Sequence, residues 1–191
     1  MTLRMHVGGS IVWPALAMWI WFAASASATT DLPTVRLDSF ELRDQHNRPH
    51  RVAFPQPDVS VLVVADEQGA KRLPPWFYAL KERLGDSIAV RGIAELSLVP
   101  RFMRASVRQR LEKEYPGPVL LDWNGSVASL LGCSPGEANV FVLATNGVVR
   151  CRWRGDCDAT KLQGLVDCIE ANRTQKSAPD TERKKSPNPG R

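Results

Sequence analysis

The 191-residue chain has 43% hydrophobic and 24% charged side chains, the balance of one ordinary globular domain; collagen-like, coiled-coil and wholly disordered chains are excluded. Its formal net charge is +5, but the excess sits mainly at the ends, in Arg4 and in a tail over 174–191 with five basic and two acidic residues. Residues 29–173 are nearly neutral, which argues against a nucleic-acid partner, since neutralising phosphates requires a basic face.

In chain order, the first 28 residues read as an export signal. Arg4 precedes the apolar run Ile11 to Ala24, and Ala26-Ser27-Ala28 forms a small-residue cleavage pattern before Thr29. The run to Ala28 also reaches the minimum length of an uncleaved membrane anchor, although Pro14 and the small residues favour cleavage. Contact with a membrane is expected only through this segment. No cysteine follows the run to carry a lipid.

Phe40–Arg43 and Arg51–Phe54 flank a polar turn and predict an N-terminal β-hairpin. Val59 to Ala65, β-branched and apolar on both faces, predicts a buried central strand. Pro74 and Pro75 suit the first turn of a helix that runs through Trp76, Leu80 and Leu84 to Gly85. A second strand, Ile88 to Ala94, precedes an Arg-rich helix over Arg101–Glu114. After Pro116-Gly117-Pro118 comes a third strand, Val119–Asp122, and Ser126 is expected to cap a short helix, Val127–Leu131. Val140–Leu143 and Val148–Trp153 around Asn146-Gly147 predict a second hairpin, and a helix over Thr160–Ala171 closes the domain. The tail from Thr174 has almost no apolar surface to bury and is expected to be disordered. The domains are therefore a signal over 1–28, a folded domain over 29–173 and a basic tail over 174–191.

This succession implies an α/β fold: a mixed sheet covered by helices on both faces, with the first hairpin as an N-terminal extension. The phrases FELRDQHNRPHRV, VSVLVVAD, YPGPVLLDWNGSVASLLG and NVFVLATNGVVRCRWRG, in this order, span most of residues 37–172. Together they resemble the thioredoxin-like superfamily, and within it the redoxin branch of exported thiol-disulfide proteins, peroxiredoxins and YtfJ-like periplasmic proteins. The resemblance implies a Cys-x-x-Cys or a single reactive cysteine where the central strand meets the next helix, because the helix N-terminus stabilises a thiolate. It also implies a cis-proline just before the strand that begins near Val140. Here the junction from Ala65 to Pro75 has no cysteine, and Ala138 stands at the proline's place, with Pro135 three residues earlier. Both landmarks of the ancestral dithiol site are missing.

Export implies an oxidising compartment, where four cysteines tend to pair. The second hairpin brings the loop of Cys133 toward Cys157, and matching the rises of strand and helix sets Cys168 level with Cys151. The expected pairing, among three, is Cys133–Cys157 with Cys151–Cys168. Val149, Cys151 and Trp153 are expected to share the inward face. Cys133 and Cys157 are either a structural staple or a relocated redox pair and, on the second reading, the candidate catalytic residues.

Asp66, Glu67, Lys71 and Arg72 stand where the redox motif is missing and are candidates to bind a polar ligand. Trp76, with Phe77 and Tyr78, is a candidate apolar recognition patch. His46 and His50 lie in a turn, so their spacing of four does not place them on one helix face, and no metal is expected. No phosphate-binding loop or nucleophile elbow occurs, and no cofactor is expected. The sequence thus points to a periplasmic or secreted protein with a binding or accessory role in the cell envelope, its partner an envelope protein or a small ligand. The alternative is a divergent thiol-disulfide oxidoreductase or peroxiredoxin-like antioxidant protein using Cys133 and Cys157.

Overall fold

A computed structural model describes residues 35–174 of the chain; the segment read as an export signal and the tail beyond 174 lie outside the described residues. Strands β1 (Phe40–Asp44) and β2 (Pro49–Val52) form the N-terminal hairpin. All six residues of β3 (Ser60–Ala65) are buried, as a strand apolar on both faces must be. A short helix, α1 (Glu67–Ala70), precedes α2 (Leu73–Leu84), whose first turn holds Pro74 and Pro75, where a missing N–H leaves no bond unmade. Strand β4 (Ala89–Glu95) leads through a 3-10 turn at Arg101–Met103 into α3 (Arg104–Glu114). Strand β5 (Val119–Asp122) leads into α4 (Ser126–Leu131), and the hairpin of β6 (Asn139–Leu143) and β7 (Val149–Arg154) into α5 (Ala159–Thr174).

The strands form one mixed sheet in the order β2-β1-β5-β4-β3-β6-β7. β3, β4 and β5 are parallel neighbours; β6 runs antiparallel to β3 and β7, and β1 antiparallel to β2 and β5. Alternation along β3 and β6 builds two cores. Val61, Val63, Val140 and Val142 pack with Trp76 and Leu80 of α2 and with Leu165 and Ile169 of α5. On the opposite face, Leu62, Val64, Phe141 and Leu143 pack with Val127, Ala128 and Leu131 of α4. α3 closes a third cluster through Leu111, against Leu96 and Leu121.

Two local expectations are corrected. Ser126 does not cap α4; the Asp122 carboxylate does, accepting from the backbone N–H of Ser126 (3.0 Å), Val127 (2.9 Å) and Ala128 (3.1 Å) from the end of β5. Val149 does not share a face with Cys151 and Trp153. The β6–β7 register shifts so that Leu143 faces Val149 while Val142 faces Cys151, which leaves Arg150 as the extra residue of a bulge and turns Val149 to the α4 side. The polar turn of the first hairpin is also partly interior, with Asp44 and Gln45 fully buried. Gln45 donates to the carbonyls of Tyr115 (3.1 Å) and Gly117 (2.7 Å) and accepts from Val119 N–H (2.8 Å), fastening the hairpin beside β5.

Asp44 accepts from Arg48 through both the backbone N–H and Nε and pairs with His50 Nε2, each at 2.9 Å. Burial alone would raise its pKa; the bonds to His50 and Arg48 prevail and hold it far below its ordinary 3.8. Since the folded-state value is the lower one, this stabilisation is complete above pH ~4 and disappears as pH falls through the folded value. Asp44→Asn is expected to lower stability at pH 7 by about 1.5–3 kcal/mol. Chemical denaturation across pH should show the gap to the native chain closing as the solution is acidified.

Candidate functional site

The chain leaves β3 at Ala65 and turns into α1 at Asp66, whose short carboxylate caps the helix as aspartate characteristically does. Oδ1 accepts from Gly69 N–H at 2.8 Å, and Oδ2 accepts from Gly136 N–H at 2.7 Å. One side chain thereby joins the helix start to the loop that precedes β6. Gly69 is buried directly against the Glu137 carbonyl, so a Cβ there would overlap the loop backbone. Gly136 holds φ +74°, a left-handed conformation that favours glycine. Asn139, 1% exposed, secures the rest: its amide donates to the carbonyls of Glu137 (2.9 Å) and Ser134 (3.1 Å) and accepts from Ser134 N–H (2.9 Å).

The expected ligand-binding residues are largely engaged by other parts of the chain. Glu67 pairs with Arg110 of α3 at 3.1 Å. Arg72 reaches Asp156 at 2.7 Å and Glu137 at 3.8 Å, and its bond to Asp156 raises the guanidinium pKa further. Lys71 is exposed. Trp76 is not a surface residue: it is 0% exposed within the α2–α5 core, and its Nε1 donates to the Gly155 carbonyl at 2.9 Å. Exposure falls instead on Phe77 (37%) and Tyr78 (78%). Gly136 and Asn139 were not singled out from the sequence; Pro135-Gly136 marked a loop, but nothing local showed that Asp66 would hold it.

Of the cysteines, Cys151 and Cys168 are bridged, with Cα atoms 6.7 Å apart. Cys133 and Cys157 are not bonded to each other; both are free. The sheet separates them. Cys133 packs against the α4-side core and Cys157 against the α2–α5 core. Chain direction brought their loops to the same end of β6 and β7 but did not specify opposite faces. Burial dominates the Cys133 thiol and pushes it up to about 12, outweighing Arg154 and Arg152 nearby. Burial and then Asp158 raise Cys157. Cys133 borders a cavity of about 530 Å³ at the carboxyl ends of β3, β4 and β5, shared with Asp66, Glu95, Ser97 and Asn124. Ligands of open α/β sheets bind at this end.

The same arrangement of strands and helices is found in solved structures. The exposed lipoprotein thioredoxin Etrx1 of Streptococcus pneumoniae strain TIGR4 superposes with a TM-score of 0.56 at 13% identity, covering 70% of this chain and 98% of that one. The chain has a thioredoxin-like fold. BsSco, a member of the Sco family of cytochrome c oxidase assembly proteins, matches with a TM-score of 0.54 at 12% identity, over 75% of this chain and 96% of that one. StoA of Bacillus subtilis matches at 0.51 and 14% identity, over 67% and 96%. No protein-family model matches the sequence, and no curated protein matches it. Within the thioredoxin-like fold, the Asp66 junction stands where the resemblance places the reactive thiol.

Two outcomes test this site. Asp66→Ala is expected to lower stability by about 1–3 kcal/mol and to speed amide hydrogen exchange at Gly69 and Gly136 above that of the β3 amides. With its pKa near 12, Cys133 carries only about one thiolate in 10⁵ at neutral pH. Its alkylation in the native chain should be very slow at pH 7 and keep accelerating up to pH 10, with no plateau near pH 8.5 where a free thiol levels off.

Proposed function

We propose that this chain is an exported thioredoxin-fold protein with a binding or accessory role in the cell envelope, without thiol–disulfide turnover at the ancestral position. The observation that carries the reading is the Asp66 carboxylate, which takes up one N–H of the helix start and one of the facing loop. These are donors a thiolate and its substrate backbone would otherwise use. The free thiols support it, since both are raised in pKa and lie on opposite sides of the sheet.

Export is supported by the signal-like first 28 residues and by the Cys151–Cys168 bridge, which suits an oxidising compartment. The resemblance to an exposed lipoprotein thioredoxin fits the same location. For the contact face we favour the outer side of α2. Tyr78 and Phe77 are exposed there, and Phe77 with Leu73, Leu111 and Tyr115 lines an apolar cleft of about 350 Å³ between α2 and α3. The partner is an envelope protein that buries these aromatic rings.

Thiol counting by mass spectrometry under graded reducing potentials, with insulin and peroxide turnover measured in parallel, tests this. The Cys151–Cys168 bridge should persist to low potential, Cys133 and Cys157 should stay as thiols, and neither substrate should turn over. A bond between Cys133 and Cys157 that cycles near the compartment's potential with turnover would establish the oxidoreductase or peroxidase reading instead. A partner captured from the envelope fraction should be retained in reductant and lost with Tyr78→Glu.

A further inference from the structure

The cleft between α2 and α3 has β4, the middle strand of the sheet, as its floor. Leu73 and Phe77 of α2 form one wall, and Leu111 of α3 with Tyr115 just after it forms the other. Val90 packs with the α2-side core and Ala94 with the α3 cluster, while Ile93 packs on the opposite face. Strand alternation therefore sets Gly92 in the floor between Val90 and Ala94. Tyr115 has the only side chain in this lining with a polar atom.

Neither backbone nor packing requires glycine at position 92. It is not one of the glycines with positive φ, and a Cβ there would stand 3.6 Å from the tip of the Phe77 ring, an ordinary contact. Glycine weakens a strand interior, and it recurs there where a ligand approaches the backbone closely. The cleft continues into a second cavity of about 350 Å³, with which it shares Ala65, Ala70, Ala94, Leu111 and Tyr115. That end is charged. Asp66 is engaged by the N–H groups of Gly69 and Gly136, and Glu67 and Glu114 both pair with Arg110, at 3.1 and 3.9 Å. Lys71 lines it as well, exposed and without an ion pair among the described residues. An apolar chamber that opens through a shared strip onto one unpaired cation has the form of a site for an amphiphile with an anionic head.

We propose that this cleft binds a medium-chain fatty acid, its alkyl tail over Gly92 between Phe77 and Leu111 and its carboxylate at Lys71. The volume is that of a small-molecule site, and burial of the tail supplies most of the affinity, because an exposed lysine contributes little to an ion pair. The site shares the Phe77 wall with the contact face proposed above but needs no protein partner. Decanoate titration is made without one, so its failure leaves the protein contact standing, and failure of partner capture leaves the titration standing.

Calorimetric titration of the full-length chain with decanoate, octanoate and decylammonium tests it. Decanoate should saturate one site, octanoate should bind about tenfold more weakly for its two missing methylenes, and decylammonium should bind more weakly than decanoate. Gly92→Val, which fills the floor with a strand-favouring side chain, should weaken decanoate binding about tenfold or more while the chain unfolds at the same temperature or higher. Lys71→Gln should weaken it about two- to fivefold, and Lys81→Gln, on α2 but outside both linings, should leave it unchanged. Absence of saturable binding, or undiminished affinity in Gly92→Val, overturns the site. Decylammonium binding as tightly as decanoate overturns the carboxylate assignment. If the Gly92→Val chain does not fold, Gly92→Ala decides instead, since its one added carbon meets Phe77 at ordinary contact distance; unchanged decanoate affinity in that variant overturns the site.

Discussion

The Asp66 carboxylate governs what the end of β3 is able to do. A helix start presents backbone N–H groups without partners and a partial positive charge, and some anion has to satisfy them. In a dithiol centre that anion is a reactive thiolate. Here it is a fixed carboxylate that also draws in Gly136. The close seating of Gly69 on the Glu137 carbonyl and the threefold anchoring by Asn139 both presuppose a loop held at this distance. The packing at this point rests on the same two hydrogen bonds.

A second fastening lies across the mouth from the first. Trp76 donates to the Gly155 carbonyl, Arg72 pairs with Asp156, and Lys161 donates to the carbonyls of Arg154 (3.1 Å) and Asp156 (2.9 Å). The corner between β7 and α5 is thus bound to the start of α2. The disulfide fixes α5 to β7 further along the same face. This places Cys157 among the side chains of α2 and α5 and separates it from Cys133 by the thickness of the sheet. The arrangement of the four cysteines follows from the layers more than from their spacing in the chain.

Most of the element order was legible in the sequence because periodicity and punctuation are local. The β-branched run of β3, the paired prolines opening α2 and the Asn146-Gly147 turn each identify a structure from within a few residues. What stayed hidden depended on contacts between distant segments or on one-residue shifts. Asp122 displaces Ser126 as the cap of α4 because a strand end happens to aim a carboxylate at three amides. The bulge at Arg150 reverses the facing of Val149 without changing any residue pattern. In Trp76-Phe77-Tyr78 three aromatic residues are consecutive, so helical geometry directs them to different sides and composition alone does not choose which ring is buried. The burial of Asp44 and Gln45 was equally unreadable, since a polar turn ordinarily faces water.

The proposed absence of thiol–disulfide turnover at this junction is physically consistent on both sides of the site. Donors that would stabilise a thiolate at the helix start are satisfied by Asp66, which converts a reactive and destabilised mouth into a stabilised joint. The free thiols lie against apolar packing, where burial opposes ionisation, raising Cys157 and pushing Cys133 up to about 12. Either change alone would leave half of a reactive centre, an empty anion site or an ionisable thiol. On the proposed reading the exposed rings of Phe77 and Tyr78 are the surface feature that packing alone does not account for.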